Sequence, residues 1–430
     1  MERAFDEAGQ RLDSLIGSLV DAAQPRGGDW PRIHNSALVV EWPSGMRYAR
    51  GVGFARAGGR EPMTAAHVFP IASVTKTMTA AIVLQLWEEG RLGSRGLDAT
   101  LAELKVLDRR TLARLAVLDG VAVGAGITVR QLLGHRTGLR DVLIDDSNVT
   151  SEANGGDPAP GSIGGLFMRD LDQHVACVRA PHCDPARFMT SRAWQPWNAA
   201  RPSDPYAGTI NFYLGSGMAT MPLFRPGSGY SYSDTNYILL GLLIEKLTAQ
   251  PLRQAYIDRL FAPLGMTTSF LSDGSNTRLP RGVELADFYL GDVPGTTSRL
   301  NLSFDWAGGG VMSSALDLSR FGRALATGRL FRRPETQQAM LAWHHESSQG
   351  DLSVHRGLGV SRYTTTDGID FIGHAGYWGA FVYYEPATGI VVSGTLDQVG
   401  VPMGPWLTDV YRAAHARSVT PVSDRESSVP

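Results

Sequence analysis

The chain has 430 residues and a formal net charge of −2, with 43% hydrophobic and 19% charged residues. These proportions are typical of an ordinary soluble globular protein with one large or two closely packed domains. The near-neutral charge argues against nucleic acid or an anionic membrane as a partner. The apolar runs are shorter than the ~18 residues that a membrane-spanning helix requires.

The first segment, residues 1–24, predicts an amphipathic helix. Acidic residues are spread along it and no unbroken apolar core is present, so it does not match a signal peptide. We therefore expect a cytoplasmic protein, although a secreted protein with its leader removed would read the same way. Residues 36–56 then predict a hairpin, because β-rich flanks surround the turn at residues 43–45. A second amphipathic helix begins near Ser73, which occupies an N-cap position.

The middle of the chain is dominated by helical patterns, notably at residues 127–139 and 235–266. Between them, residues 141–220 are rich in Gly, Pro, Ser, Asp and aromatic residues and show no clear period. We interpret this stretch as an insertion that shapes a pocket. The alternative is a surface decoration with a small apolar cluster of its own.

Two cysteines lie in this insertion, Cys177 and Cys183, with His174 and His182 beside them. A zinc site is one reading, but the spacing matches no standard zinc pattern. A small-loop disulfide, or two thiols in a reducing cytoplasm, is the preferred interpretation.

The C-terminal part returns to strand patterns. Four short runs between residues 357 and 396 are β-branched or aromatic and are separated by turn residues. A final helix at residues 406–417 precedes a polar tail, and residues 421–430 are predicted to be disordered. The order of strands, helices and strands predicts an α+β protein, an α/β sandwich whose antiparallel sheet is built from both chain ends. We assign residues 1–100 and 300–420 to this sheet domain and residues 101–299 to a mostly helical domain.

Lys76 stands three residues after Ser73, where a cation opposes the helix dipole and weakens the helix by roughly 0.3–1 kcal/mol. Lysine accounts for only three of the 40 basic residues, the other 37 being arginine. Lysine at this position therefore indicates a role that arginine cannot fill, namely loss of a proton. Residues i and i+3 share a helical face, so we predict a buried, uncharged Lys76 amine that reaches the Ser73 hydroxyl.

Two further segments carry polar residues suited to the same chemistry. A glycine-rich turn at residues 226–229 delivers Tyr232 and Asp234 just before a strongly apolar helix, and a phenol there can relay a proton. A later strand runs into His374 and Gly376, where a substrate backbone can approach closely. The alternative readings are a packed loop tyrosine, an aspartate N-cap and a structural histidine.

Taken together, these residues resemble the serine hydrolases of the penicillin-recognising fold. That group comprises class C β-lactamases, D-alanyl-D-alanine carboxypeptidases, D-amino-acid peptidases and amidases, and β-lactamase-like esterases. Its signatures are Ser-x-x-Lys, Tyr-x-Asn, and Lys-Thr-Gly or His-x-Gly, and residues 73–76, 232–234 and 374–376 follow them in order. The framework stretches ITVRQLLGHRTGL and AGGGVMSSALDLSRF are also similar, so the likeness extends from about residue 30 to residue 415.

The resemblance implies a role for each matching position. Ser73 is the acylated nucleophile, and Lys76 and Tyr232 share the general-base and general-acid work. The backbone N–H groups of Ser73 and Tyr377, the residue after Gly376, form the oxyanion hole. The resemblance also implies that His374 replaces the lysine of the group on the substrate side. No metal and no cofactor are expected.

Two departures from the signatures bear on activity. Asp234 replaces an asparagine, and an ionised carboxylate there would keep Lys76 protonated and favour Tyr232 as the base. A histidine at 374 leaves the site less positive, which weakens the binding of a substrate carboxylate. Both changes argue against an efficient β-lactamase.

The resemblance implies a serine hydrolase acting on an ester, a small amide or a D-amino-acid-containing peptide, with a small-molecule acyl substrate as its partner. The alternative is an acyltransferase in small-molecule or natural-product metabolism, in which an amine or alcohol captures the same acyl-enzyme. A non-catalytic penicillin-type sensor is a third reading. The sequence leaves the oligomeric state open.

Overall fold

A computed structural model describes residues 2–20, 30–272 and 279–415. Its strands, in chain order, are β1 (Asn35–Glu41), β2 (Arg47–Gly53), β3 (Val68–Pro70), β4 (Val117–Leu118), β5 (Val121–Ala122), β6 (Phe270–Leu271), β7 (Tyr289–Leu290), β8 (Val293–Pro294), β9 (Val311–Ser314), β10 (His345–Gln349), β11 (Leu352–Arg356), β12 (Ser361–Thr364), β13 (Asp370–Ala375), β14 (Ala380–Tyr384) and β15 (Val391–Thr395).

The α-helices, in chain order, are α1 (Glu2–Gly17), α2 (Val74–Glu88), α3 (Arg109–Leu115), α4 (Val129–Leu133), α5 (Ile163–Arg179), α6 (Thr209–Gly215), α7 (Asp234–Thr248), α8 (Leu252–Tyr256), α9 (Ala262–Leu264), α10 (Trp306–Gly309), α11 (Ala315–Ala326), α12 (Pro334–Met340) and α13 (Met403–Ala414). A π-helical turn at Ile257–Phe261 joins α8 to α9, and short 3-10 turns occupy several loops.

The central feature is an eight-stranded antiparallel sheet that both ends of the chain build. Its order is β10-β11-β12-β13-β14-β15-β1-β2. The first hairpin joins the C-terminal strands where β1 pairs with β15, with Ala37 opposite Thr395. The prediction of one antiparallel sheet from the two chain ends is confirmed. Strands β10 and β11 at its edge extend beyond the runs that the sequence predicted.

Successive side chains along the strands point to opposite sides of this sheet, and both of its faces are covered. In β14, Ala380 and Val382 enter the main core, whereas Phe381 and Tyr383 enter a second core on the opposite face. Helices α11 and α2 pack on the first face, and α1 and α13 pack against each other on the second. The sheet is therefore the middle layer of a sandwich, as period-two patterning requires when both faces are buried.

The helical middle of the chain packs beyond α2. Helix α7 contacts α2, α4, α8 and α10, and its buried apolar side chains belong to the same core cluster as the inner face of the sheet. Helix α4 begins with a capping box in which Thr128 and Gln131 bond each other's backbone N–H groups. The mixed α+β architecture is confirmed, and the domain boundaries at residues 100 and 300 stay predictions.

The insertion at residues 141–220 contains more regular structure than its composition indicates. It holds α5, a 17-residue helix, together with α6 and several single turns. Cys177 and Cys183 form a disulfide at the end of α5, and the Nε2 atom of His174 bonds the carbonyl oxygen of Ser298 at 2.7 Å. The disulfide interpretation is confirmed, and the zinc alternative is wrong because the thiols bond to each other.

Among the described residues, no helix is both long enough and apolar enough to cross a membrane. The tail predicted to be disordered, residues 421–430, lies outside the described part of the chain.

The outer core between α1 and the sheet contributes strongly to stability. Leu12 is fully buried there, so Leu12→Ala should lower the free energy of unfolding by about 2–5 kcal/mol. Gln10, which is exposed on the same helix, is the control, and its change to alanine should alter stability by less than ~0.5 kcal/mol. Urea denaturation measures both changes. Equal stabilities for the two variants would contradict the assigned packing of α1.

Candidate active site

Ser73 and Lys76 meet at the start of α2, as the sequence predicts. The Lys76 Nζ atom donates a hydrogen bond to the Ser73 Oγ atom at 3.0 Å. Ser73 holds the N-cap position, but its side chain makes no capping bond, so the hydroxyl is left for Lys76. The preceding residue, Ala72, has a φ of +42°, a strained value for a residue with a β-carbon that is typical of functional turns.

Lys76 is fully buried and forms an ion pair with Asp234. Its Nζ atom also donates to the Gly308 carbonyl oxygen at 3.0 Å. Burial alone lowers the pKa of Lys76, but the neighbouring acidic groups, Asp234 foremost with Tyr232 and Asp305 adding, together outweigh burial and raise that pKa well above its ordinary value. The prediction of an uncharged amine is therefore wrong for the resting site, because the buried amine has a buried anion as its partner.

Tyr232 completes the group around the serine hydroxyl. Its phenol is near enough to Ser73 and Lys76 for both to lower its pKa, and the Lys76 Nζ atom lies 5.0 Å from the centre of the tyrosine ring. Burial raises the pKa of Tyr232 and outweighs the opposing effect of Lys76, so the resting phenol is neutral. The three side chains that the sequence selected therefore meet in one place.

His135 is a part of the site that sequence reasoning passed over. Its ring stacks on Tyr232 with centroids 4.3 Å apart, and its Nδ1 atom accepts the backbone N–H of Ser233 at 3.1 Å. Burial, with Lys76 adding, holds the pKa of His135 well below its usual range. A neutral His135 thus positions Tyr232. It lies in the stretch GHRTGL, which the sequence analysis used only as framework.

Asp234 is the first residue of α7 rather than its N-cap, which is Ser233. Burial raises the pKa of Asp234, but Lys76, with Asp305 and His135 adding, lowers it by a larger amount, so the net shift is downward and the group is ionised. Two more carboxyls lie nearby. Burial, with Asp234 adding, raises the pKa of Asp141 and of Asp305 well above the ordinary value, and Asp305 in turn lowers the pKa of Asp234.

The end of β13 brings the third predicted segment to Ser73. A β-carbon on residue 376 would lie only 2.2 Å from the Ile71 carbonyl oxygen, so glycine allows this strand end to approach the start of α2. The His374 ring is centred 6.3 Å from that of Tyr232, and its Nδ1 atom bonds the carbonyl of Ala375 at 2.7 Å. Burial lowers the pKa of His374 to about 3, so the ring is neutral, which fits the prediction of a less positive site.

Two backbone N–H groups face this junction without an acceptor. Within the described part of the chain, neither the Ser73 N–H nor the Tyr377 N–H donates a hydrogen bond to the protein. Unsatisfied N–H groups at a helix start are suited to an anionic oxygen. The side chain of Tyr377 is 51% exposed at the rim of the adjacent cavity.

A cavity of about 190 Å³ opens beside Ser73 and Tyr232. Much of its apolar wall comes from the insertion, as the pocket-shaping interpretation predicts. The apolar side chains that line it from this insertion are Leu143, Ile144, Pro158, Phe167 and Met168. Phe304 and Trp378 add aromatic surface from outside the insertion. This volume is below the ~300–1,000 Å³ of pockets for drug-sized ligands, so the cavity suits a small acyl group.

A separate cluster lies away from this cavity. Among the described residues, one group of three acidic or histidine side chains has ligand atoms close enough together to share a metal ion. It consists of Glu61, His67 and Glu284. The Nδ1 atom of His67 accepts the backbone N–H of Thr64 at 3.0 Å, which leaves the ring proton on Nε2, 3.2 Å from Glu61. A metal ion would need a lone pair on Nε2, and this atom carries the ring proton instead. We therefore interpret the cluster as a set of hydrogen-bonded side chains.

A sheet made from both chain ends, a helical lobe, and a Ser-x-x-Lys serine at their junction define the architecture of penicillin-recognising serine hydrolases. The family model described as "Beta-lactamase" matches residues 35–404. The chain therefore belongs to the beta-lactamase family.

Individual relatives are distant. The mouse serine beta-lactamase-like protein LACTB, mitochondrial, is 24% identical over 305 residues, which are 65% of this chain and 52% of the relative. The chain thus spans about half the length of the curated relatives that it matches. A D-stereospecific amidohydrolase from Streptomyces sp. superposes with a TM-score of 0.65 at 22% identity, covering 95% of this chain and 98% of the other.

EstCE1, a hydrolase with promiscuous acyltransferase activity, superposes with a TM-score of 0.64 at 19% identity, covering 96% and 99% of the two chains. At these identities, the structural likenesses show the fold. The members of this family are serine hydrolases.

Gly376 is expected to be essential for the junction between β13 and α2. Gly376→Ala should slow the labelling of Ser73 by a fluorophosphonate roughly 100-fold, because displacing the strand end by about 1 Å misplaces the groups around the serine. Gly126, an exposed glycine with open space around it, is the control, and Gly126→Ala should label at the wild-type rate. Intact-protein mass spectrometry follows both reactions. Unchanged labelling of Gly376→Ala would refute the close approach.

Proposed function

We propose that this protein is a serine acyl hydrolase that forms an acyl-enzyme at Ser73. Its substrate is an ester, a small amide or a D-amino-acid-containing peptide. The observation that carries the proposal is the convergence of Lys76 and Tyr232 on Ser73: the Lys76 Nζ atom donates to the Ser73 Oγ atom at 3.0 Å, and the Tyr232 phenol is near enough for Ser73 to lower its pKa. A serine held in this way beside a cavity is suited to nucleophilic catalysis.

Acylation joins the Ser73 Oγ atom to the substrate carbonyl carbon and breaks the bond from that carbon to the leaving group. The serine proton passes to the base and then to the leaving oxygen or nitrogen. Water then attacks the acyl-enzyme with the same groups acting in reverse, which releases the acid and restores Ser73. The free N–H groups of Ser73 and Tyr377 stabilise the oxyanion of both tetrahedral intermediates.

The state of Lys76 favours Tyr232 as the first base. Asp234 holds Lys76 as an ammonium, which has no lone pair to accept a proton. The same ammonium lies 5.0 Å from the centre of the Tyr232 ring and lowers the pKa of the phenol, since an opposite charge at this distance favours the ionised form. Tyr232 takes the serine proton in its phenolate form, which the neutral resting phenol reaches by losing its proton to solvent. Lys76 favours that form because its charge lowers the pKa of the phenol against the effect of burial.

The cavity and His374 limit the substrate class. An apolar space of about 190 Å³ admits a small apolar acyl group. The neutral imidazole of His374 offers no fixed positive charge to a substrate carboxylate, so penicillins are poor substrates. A D-configured acyl group is consistent with the D-stereospecific amidohydrolase that shares the fold.

Acyl transfer is a second candidate function. The fold is shared with EstCE1, a hydrolase with promiscuous acyltransferase activity. The apolar walls beside Ser73 also disfavour water relative to an apolar amine or alcohol. Both functions use the same acyl-enzyme, so the partition of the acyl group between water and an added amine separates them.

The nucleophile is tested by covalent labelling. A fluorophosphonate should add one adduct to the wild type, located at Ser73, and none to Ser73→Ala, because the reagent requires an activated hydroxyl. Ser44→Ala, which removes an exposed turn hydroxyl, should label like the wild type. Turnover of p-nitrophenyl acetate with added propylamine then measures acetate against N-propylacetamide. An adduct that persists in Ser73→Ala would refute the proposed nucleophile.

The charge of Asp234 should set the acidic limb of the pH profile. Burial lowers the pKa of Lys76 and raises that of Tyr232, whereas Asp234 raises the pKa of both groups. Asp234→Asn removes this anion, so whichever group is the base loses its proton more readily. The acidic limb of kcat/KM for p-nitrophenyl acetate should therefore move to lower pH by roughly one unit or more.

Asp172→Asn is the matched control for this profile, because Asp172 is exposed on α5. Its acidic limb should coincide with that of the wild type. If the acidic limb of the Asp234→Asn profile does not move, then neither Lys76 nor Tyr232 is the base.

A further inference from the structure

A second carboxyl lies against the acid that pairs with Lys76. A β-carbon on Gly308 would lie 2.7 Å from the Oδ1 atom of Asp234 and closer still to the Oδ1 atom of Asp305. The Gly308 carbonyl oxygen also accepts a hydrogen bond from the Lys76 Nζ atom. The lysine and both carboxyls therefore meet at one point of the backbone, one helical turn away from Ser73.

The fold holds Asp305 at this point in a constrained way. A β-carbon on residue 309 would overlap the Oδ2 atom of Asp305, so only glycine leaves room there for the carboxyl. The next residue, Trp306, has a φ of +38° and a ψ of −103°. Backbone strain of this kind persists where the surrounding structure fixes a group in place. The position of Asp305 beside Asp234 is therefore maintained by the start of α10 at a cost in backbone energy.

One oxygen of Asp305 has no donor of its own. The Oδ1 atom is buried, and no group within the described part of the chain forms a hydrogen bond with it. Buried polar atoms are nearly always paired, so this oxygen calls for an explanation. A proton carried by the Asp305 carboxyl itself provides one, because a protonated carboxyl is a donor and the carboxylate of Asp234 is an acceptor beside it.

The electrostatics of the pair agree with this geometry. Two carboxyls in contact do not both ionise at neutral pH, because like charges in a buried site repel. Asp234 is the ionised member, since it forms the ion pair with Lys76 and the lysine lowers its pKa. Burial, with the charge of Asp234 adding, raises the pKa of Asp305 well above its usual range. The proton therefore belongs to Asp305.

We propose that Asp305 is a positioning residue whose neutral carboxyl donates a hydrogen bond to Asp234, so that the two acids carry one negative charge between them. That charge matches the single cation, Lys76, and the hydrogen bond fixes the carboxylate against the lysine. Asp305 thus brings a neutral donor to the place where the Tyr-x-Asn signature has an amide and this chain has Asp234. The effect on catalysis rests on the proposed reaction at Ser73, whereas the protonation of Asp305 does not.

The titratable groups that face Asp305 come from α2 and α7, which pack on α10, and from α8. They are Lys76, Asp234 and Tyr256. Burial raises the pKa of Tyr256, so this phenol is neutral. Lys76 and Asp234 keep their charges near neutral pH because each stabilises the ionised form of the other. Asp305 therefore influences the reaction through Asp234.

Infrared difference spectroscopy on the full chain tests the protonation of Asp305 without requiring turnover. A protonated carboxyl absorbs at a higher frequency than a carboxylate or an amide, so Asp305→Asn should remove one such band at neutral pH. Asp172→Asn replaces an exposed carboxyl on α5 and is the control, which should retain that band. Loss of a carboxylate band in Asp305→Asn, in place of a protonated one, would overturn the proposal.

The positioning role predicts different pH profiles for two replacements of Asp305. Asp305→Asn keeps a neutral donor, so the acidic limb of kcat/KM for p-nitrophenyl acetate should stay within ~0.3 unit of the wild type. Asp305→Leu lacks a donor and leaves the charge of Asp234 undispersed, which raises the pKa of the base. Its acidic limb should move to higher pH by roughly half a unit or more. Asp172→Asn should coincide with the wild type.

Two results would refute the positioning role. A limb that moves down by about one unit in Asp305→Asn would mean that an ionised Asp305 had been removed, and a limb that stays in place in Asp305→Leu would mean that the donor has no effect on Asp234. If Asp305→Leu does not fold, the infrared band and the profile of Asp305→Asn decide. Absence of Ser73 labelling by a fluorophosphonate in the wild type refutes the proposed function instead, and the infrared result then decides the state of Asp305 alone.

Discussion

The buried ion pair between Lys76 and Asp234 is the interaction on which the rest of the site depends. It joins the first turn of α2 to the first turn of α7, and the bond from Lys76 to Gly308 adds α10. Removing one member of such a pair leaves a buried charge without a partner, at a cost of about 3–5 kcal/mol. The pair therefore holds three helices in register at the place where the reactive hydroxyl lies. It also fixes the charge of Lys76, and this in turn decides which neighbour can accept a proton.

The sheet meets these helices through contacts that leave little freedom. The end of β13 approaches Ile71 so closely that only glycine fits at position 376. His135 holds Tyr232 by ring stacking from the helical side. The hydroxyl of Ser73 is thus positioned from both layers, and the free N–H groups of residues 73 and 377 lie where these layers join. Rigid placement of this kind lowers the reorganisation that a reaction at the serine requires.

Much of this arrangement could be predicted from the sequence. The strand pattern at both chain ends led to the sheet, and three short signatures led to Ser73, Tyr232 and His374. The charge of Lys76 could not be assigned without knowing that Asp234 reaches it across 158 positions of sequence. Helix α5 was missed because glycines near its start and polar residues along it hide its buried face. The stacking of His135 on Tyr232 is a tertiary contact, which local periodicity does not encode.

The groups around the serine and the apolar wall of the cavity come from different parts of the chain, and this separation has an evolutionary consequence. The groups that surround the serine hydroxyl come from α2, α7 and the loop before it, whereas one continuous stretch, residues 143–168, supplies much of the apolar wall. Replacement or resizing of that stretch alters the shape offered to an incoming molecule and leaves Ser73, Lys76 and Tyr232 in place. Descendants of this chain can therefore diverge in the molecules they select by exchange of a single surface module, with the chemistry inherited unchanged.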